Sequence, residues 1–255
     1  MDRKASPKGY HVSSDGQISF SDDETKLYFG LALPEIYQDT LLLKEEIVDV
    51  EVWTYDEPRL YTIQEMQLNN DKKKSFKSVY NFDNEKVIQI ANKDFPNAII
   101  SEHGNSEYAL ISNPQPYQLS SQWTALFSKN DLAVKNIKNG DSEIVIKGNP
   151  SLARLSPQGY YAYGYNQVDS TWYTHNLKNS KYTELTRGKI FYNELSDYPN
   201  YPSSYGIAGW SKNDKTIFIY DRYDIWEFDP DTGNSKRLTN GRESKTSYRL
   251  IRLDN

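Results

Sequence analysis

Two stretches near the C-terminus share one plan. Residues 155–188 read LSPQGYYAYGYNQVDSTWYTHNLKNSKYTELTRG, and residues 210–241 read WSKNDKTIFIYDRYDIWEFDPDTGNSKRLTNG. Each opens on a Ser-led polar turn (Ser156-Pro157-Gln158-Gly159; Ser211-Lys212-Asn213-Asp214). Each then runs through a β-rich strand and a second strand carrying Trp, turns again, and closes on Leu-Thr-x-Gly. Ser156 and Ser211 lie 55 residues apart, and Thr186 and Thr239 lie 53 apart. A strand-built repeat of this length predicts β-propeller blades, four-stranded sheets that stack around an axis because none can bury both faces alone.

The rhythm extends upstream. Asn81, Asn136, Asn176 and Asp229 each precede a polar turn, at spacings of 55, 40 and 53. Asx side chains suit this place because they bond the backbone two residues on. Blades are expected near 17–92, 97–148, 150–188 and 203–241, with 242–255 starting a further blade and 1–16 belonging to a neighbour. The fold class is therefore all-β, a propeller of about four four-stranded blades forming a partial ring. A complete four-bladed ring is the alternative. Residues 51–55, 123–127 and 248–253 read as strands, residues 31–47 as an insertion, and Lys72-Lys73-Lys74 as a solvated hairpin tip. Helical spacing is confined to residues 39–46.

Three passages resemble a known family. Trp210-Ser211-Lys212-Asn213-Asp214, Ile219-Tyr220-Asp221-Arg222-Tyr223-Asp224-Ile225-Trp226 and Leu238-Thr239-Asn240-Gly241 resemble the propeller of bacterial peptidases of the prolyl oligopeptidase / dipeptidyl peptidase IV family. So do Phe20-Ser21-Asp22-Asp23 with Leu27-Tyr28-Phe29-Gly30, and Val52-Trp53 with Gln64, Val79-Tyr80 and Gln89-Ile90. TolB-type and WD-repeat propellers share the turn logic. The resemblance implies a partner α/β-hydrolase domain in the same parent protein, carrying a Ser–Asp–His triad. The propeller would control which peptide substrates reach it, in a periplasmic or secreted setting. This chain has no Gly-x-Ser-x-Gly elbow and no strand–helix alternation, so it resembles the regulatory ring without the catalytic half. A stand-alone propeller that binds a protein or glycan is the alternative function.

Composition narrows the chemistry. The chain lacks cysteine, which excludes disulfides, thiolate metal sites and a Cys nucleophile. The net charge of -5, without a basic stripe, argues against nucleic acid. No apolar stretch is long enough to cross a bilayer, and the first residues lack a signal-peptide pattern. No catalytic residue, cofactor or metal is expected. Of three histidines, His175 stands where the repeat has Phe228 and reads as a packing residue; His103 reads as a surface turn, and His11 has no evident partner. The sequence Asp229-Pro230-Asp231-Thr232-Gly233-Asn234 reads as a tight turn, since the closing Glu of a calcium loop is missing. Substrate contact is expected first in the Tyr- and Pro-rich stretch 194–202, through Tyr198 and Tyr201. It is expected second at the Asp221, Arg222 and Asp224 turn, either as an inter-strand ion pair or as an Arg that grips a carboxylate.

Overall fold

A computed structural model describes residues 7–35, 42–46, 53–123 and 129–251. Four antiparallel sheets follow one another along the chain. The first contains β1 (His11–Val12), β2 (Ser19–Phe20), β3 (Lys26–Ala32), β4 (Phe76–Asn81) and β5 (Lys86–Gln89). The second is β6 (Asn97–Ile99), β7 (Tyr108–Asn113), β8 (Asn130–Asn136) and β9 (Ser142–Asn149). The third is β10 (Arg154–Leu155), β11 (Tyr161–Asn166), β12 (Thr171–Asn176) and β13 (Lys181–Glu184). The fourth is β14 (Ile207–Trp210), β15 (Ile217–Tyr220), β16 (Ile225–Phe228) and β17 (Ser235–Arg237).

Period-2 alternation sends neighbouring residues of one strand to different sheets. On β7, Ala109 and Ile111 join Tyr28, Val79 and Ile90 of the first sheet, while Leu110 joins Leu155, Ala162 and Leu177 of the third. Tyr163, Tyr165 and Trp172 then meet Ile217, Ile219 and Phe228 of the fourth. Each large apolar side chain buried this way contributes on the order of 2 kcal/mol. The sheets thus stack face to face in chain order, as blades do. Among the described residues, no hydrogen bond or apolar cluster joins the first sheet to the fourth. The result is a partial propeller.

Polar stitches fix the stacking at the turn end. Asn81 Nδ2 donates to the Ile137 carbonyl of the second sheet at 2.8 Å. Asn176 does the same work between the third and fourth, donating to Asp231 Oδ1 at 2.8 Å. Tyr161 donates to Asp231 Oδ2 at 2.9 Å, and Thr174 Oγ1 to the Pro230 carbonyl at 2.6 Å. Asp229 Oδ1 meanwhile accepts the Asp231 and Thr232 amides, so the residue 229–234 segment is a tight turn held by the preceding sheet.

Several expectations need correction. The first sheet reaches back to His11, because β1 and β2 both pair with β3. Between them the chain leaves the strand and Gly16 crosses Gly30, where a Cβ would stand 2.6 Å from the Gly30 Cα. Only glycine permits that approach. Residues 53–55 are not a strand but exposed irregular chain, and residues 51–52 lie outside the described residues. A helix absent from the sequence reading, α1 (Tyr61–Lys72), fills the β3–β4 connection, so the lysine run ends a helix rather than tipping a hairpin. A short helix, α2 (Gln118–Ser121), occupies the β7–β8 connection; Trp123 follows it in a turn, and residues 124–127 of the expected strand are undescribed. Residues 248–251 of the expected 248–253 strand are not a strand either, and residues 252–253 lie outside the described residues. Residues 245–251 follow a single helical turn, α3 (Gly241–Ser244), and cross the β15–β16 turn, with the Tyr248 amide bonded to the Tyr223 carbonyl at 2.7 Å.

Asp231→Ala is expected to lower stability by roughly 2 kcal/mol, because it strands Tyr161 and Asn176 at once. Urea unfolding of the variant checks this, and an unchanged midpoint would show that apolar stacking alone holds the sheets.

Candidate functional site

Strand polarity divides the loops between two ends. The first-to-second and third-to-fourth strand connections emerge at one end, and in the second to fourth sheets they are short, Ser- or Asx-capped turns. The second-to-third and sheet-to-sheet connections emerge at the other end. There lie the described residues of the β3–β4 and β7–β8 connections, the long stretch 185–206 and residues 241–251. Variable loops on a rigid scaffold are where recognition is built.

At the fourth sheet this end carries a compact charged cluster. Asp221 is buried and its carboxylate is consumed locally. Oδ1 accepts the Tyr223 and Asp224 amides at 2.8 and 2.5 Å, and Oδ2 accepts Trp226 Nε1 at 3.1 Å. Asp224 is wholly buried and accepts Thr239 Oγ1 at 2.7 Å and the amides of Gly241 and Arg242. Burial pushes its carboxyl up, but the Gly241 amide, the Thr239 hydroxyl, the Arg242 amide and the Arg237 guanidinium outweigh burial and hold it below the ordinary value. Asp221 therefore fixes the β15–β16 turn and Asp224 clamps the C-terminal segment to it, and neither offers a free carboxylate.

The arginines are differently placed. Arg222 and Arg242 lie over the Tyr223 ring at 5.0 and 5.3 Å. Both are tied to Glu194, Arg242 Nη1 at 3.0 Å and Arg222 Nη1 at 3.6 Å. Arg249 covers Tyr220 at 4.6 Å and donates to the Asp221 and Arg222 carbonyls. Glu194, the first residue of the stretch singled out above, is the member of this cluster that reading missed. Its acidic character beside an Arg-bearing turn was the available signal, but only the fold brings the two together.

The loop that supplies Glu194 is closed at its base. The Asn193 amide donates to the Ser203 carbonyl at 2.7 Å, Tyr192 bridges Ser204, and Tyr165 anchors the Pro202 carbonyl at 3.1 Å. Tyr198 stands 78% exposed and Tyr201 42% exposed beyond that base. The structure thus joins Arg222 to the loop through Glu194, while Tyr198 remains outside the cluster. Chemically, this end can present flat guanidinium and phenol surfaces.

The other candidates resolve differently. His103 Nδ1 lies 2.7 Å from Asp22 Oδ2, a pairing across the first two sheets, and among the described residues no serine hydroxyl bonds either residue. His175 occupies the Phe228 position, is 5% exposed, and neither ring nitrogen has a hydrogen-bond partner among the described residues. It borders a cavity of about 260 Å³ that Asp141, Glu143 and Lys178 also line. A larger cavity of about 620 Å³ lies beside β1 and the lysine run, with carboxylates and lysines mixed on its walls. Among the described residues, no group of three or more His, Asp or Glu could hold a metal, and no helix is long and apolar enough to cross a membrane.

No protein-family model and no curated protein matches the chain. Solved structures similar to it include a prolyl endopeptidase (10% identity, TM-score 0.41, covering 93% of this chain and 30% of that one). Porphyromonas gingivalis dipeptidyl peptidase 4 is similar at 13% identity and TM-score 0.42, over 87% of this chain and 30% of that one. A putative TolB from Agrobacterium tumefaciens is similar at 13% and 0.39, over 92% and 63%. The chain therefore spans about a third of the two peptidases it matches. Likeness at this level assigns neither a family nor an activity.

Two outcomes are expected here. Asp224→Ala should cost roughly 3 kcal/mol, since it leaves Arg237 and two amides without their buried acceptor. The Asp224 contribution is present above the unfolded carboxyl value of 3.8 and is lost as pH falls through the lower folded value, so acid unfolding of the variant should be flatter there. His175 acts nearer neutrality and in the same direction. Burial pushes its imidazole below 6.5, with Glu143 opposing. The unfolded chain takes up that proton first, so stability is full above about 6.5 and declines as pH drops toward the folded value. His175→Phe should remove that decline and add about 1 kcal/mol; melting temperatures measured across pH 5–8 check it.

Proposed function

We propose that this chain is the non-catalytic propeller portion of a prolyl-oligopeptidase-like serine peptidase, gating peptide access and docking the α/β-hydrolase domain of its parent. The observation that carries the reading is the asymmetry of the two ends. One end carries short turns with polar bonds between neighbouring sheets, and the other gathers the long connections and the Glu194–Arg222–Arg242 cluster. A gate needs a rigid ring wall and one elaborated mouth. The passages around Trp210, Asp221–Trp226 and Leu238-Thr239 support the same family on sequence grounds. In this reading the blades near 17–92, 97–148, 150–188 and 203–241 form the wall. Tyr198, Tyr201 and Arg222 face arriving peptides, with Asp221 and Asp224 holding the turn that carries Arg222.

A stand-alone propeller that binds a protein or glycan is the second reading, favoured by the exposed Tyr198 on a loop pinned at its base.

Treating the purified chain with a fluorophosphonate probe should give no covalent adduct, and a fluorogenic Pro-containing peptide should stay intact. Adduct formation on this chain overturns the non-catalytic assignment. In the parental gene, the proposal expects a Gly-x-Ser-x-Gly elbow within alternating strands and helices elsewhere in the same reading frame. A frame that encodes no such domain overturns the peptidase reading and leaves the second.

A further inference from the structure

The polar bond that aligns neighbouring sheets is missing at one interface. Asn81 Nδ2 donates to the Ile137 carbonyl between the first and second sheets, and Asn176 Nδ2 to Asp231 between the third and fourth. Asn136 stands at the same place in the second sheet. Its Oδ1 caps the turn by accepting the Lys138 and Asn139 amides at 2.9 and 3.3 Å, but among the described residues its Nδ2 has no hydrogen-bond partner. Two polar bonds between described residues cross from the second sheet to the third at this end, and both are long. Ser180 Oγ lies 3.5 Å from Glu143 Oε2, and Ser106 Oγ lies 3.4 Å from the Gly159 carbonyl.

The cavity of about 260 Å³ stands where the bond is missing. The second sheet lines it with Tyr108, Val134, Asn136 and Glu143, and the third with His175 and Leu177. Strand alternation carries His175 into the gap. Tyr173, two residues earlier on β12, reaches Asn149 and Ser151 on the second-sheet side, and His175 points the same way. His175 is 5% exposed, and neither ring nitrogen is bonded among the described residues. A buried polar group without a partner calls for an explanation. The fourth sheet fills the equivalent slot with Phe228, so the architecture itself does not require a polar ring there.

Donor and acceptor roles decide what completes the cavity. Burial pushes the imidazole below its ordinary value, with Glu143 opposing, so near neutral pH the ring has one N–H donor and one bare acceptor nitrogen. An anion supplies acceptors alone, and Asp141 and Glu143 on the wall repel it. An ammonium supplies donors alone, and Lys178 on the same wall repels it. A hydroxyl both donates and accepts. The wall is mixed in the same way: Asn136 and Lys178 donate, while Asp141 and Glu143 accept. Val134, Val145 and Leu177 supply the apolar remainder. A sugar ring divides itself likewise, with hydroxyls round its edge and C–H groups on its faces. The volume equals about nine water molecules' share of the liquid, too much for one bridging water. It falls just below the range of drug-sized pockets, which limits the occupant to a single ring.

We propose that the cavity between the second and third sheets binds a neutral polyhydroxylated ligand of monosaccharide size, with His175 bonding its hydroxyls at the floor and Asn136 and Glu143 bonding them at the wall. The proposal does not depend on the peptidase reading. The cavity lies at the end away from the long connections, and its test shares no readout with the fluorophosphonate experiment.

The probes are D-glucose, D-galactose, D-mannose and myo-inositol, each titrated into the tens of millimolar range. Long-range proton–nitrogen NMR spectra of the labelled chain follow the imidazole nitrogens, with sodium phosphate and methylammonium chloride as the anionic and cationic comparisons. At least one of the four polyols should shift the His175 nitrogens saturably, while those of His11 and His103 stay in place. His175→Phe, which copies the fourth sheet's own residue, should weaken binding about tenfold or more, and Glu143→Gln about threefold. His103→Ala, at the first interface, should leave it unchanged. The wild-type nitrogen shifts decide the matter if a variant fails to fold. No saturable shift with any of the four overturns the proposal and leaves the cavity to water. So does unchanged affinity in His175→Phe, or tighter binding of phosphate or methylammonium than of every polyol.

Discussion

Each sheet here has two apolar faces and one chain's worth of neighbours to cover them. That constraint organises everything else. Ala109 and Ile111 turn one way and Leu110 the other, so β7 becomes interior only when a sheet lies on either side. A face without a neighbour must be covered by other means. Tyr220, on the outward face of the fourth sheet, is covered by Arg249 and bonded by the Leu250 amide at 2.9 Å. At the other end of the arc, Phe20 and Phe82 lie 6.3 Å apart in parallel planes and stay 61% and 45% exposed. The arc is thus finished differently at its two ends.

Apolar stacking alone would let sheets slide, since dispersion and burial have little directional preference. Register comes from polar atoms at one end of the stack. Asn81 reaching the Ile137 carbonyl and Asn176 reaching the Asp231 carboxylate are the same device with different acceptors, applied at the first and third interfaces. At the opposite end no such economy is visible, and long connections accumulate. The division follows from strand polarity: one end is used for alignment, the other is left free to vary.

The repeat was legible because its signals are local. Ser-led turns, Asx caps and alternating strands specify sheets through contacts within a dozen residues, and the third and fourth sheets follow them closely. The first sheet was harder. Its third strand lies more than forty residues from its second, and the intervening segment contains Trp53-Thr54-Tyr55, whose β propensity no partner strand satisfies. Helix α1 has no apolar stripe to announce it; Asn69, Asn70 and Asp71 even weaken its intrinsic preference. Its order comes from Arg59, Gln64 and Gln122, which are invisible to periodicity. The site was half legible for the same reason. The Asp221–Asp224 turn was visible, but its role in holding residues 241–249 requires knowing that the chain doubles back, and Glu194 became significant only once the loop closed over that turn.

The residue just before the Asx that opens the turn after the third strand of each sheet occupies one equivalent slot, Tyr80, Lys135, His175 and Phe228, which in the second to fourth sheets lies on the face toward the preceding sheet. Two are aromatic hydrocarbons or phenols and two are ionisable, and burial lowers the affinity of both Lys135 and His175 for a proton. The modules are consequently not interchangeable bricks. Transplanting one sheet to another position in the arc would set a titrating side chain against a partner shaped for an aromatic ring, so shuffled or duplicated versions of this architecture would have to be rebuilt at that single slot before they assembled.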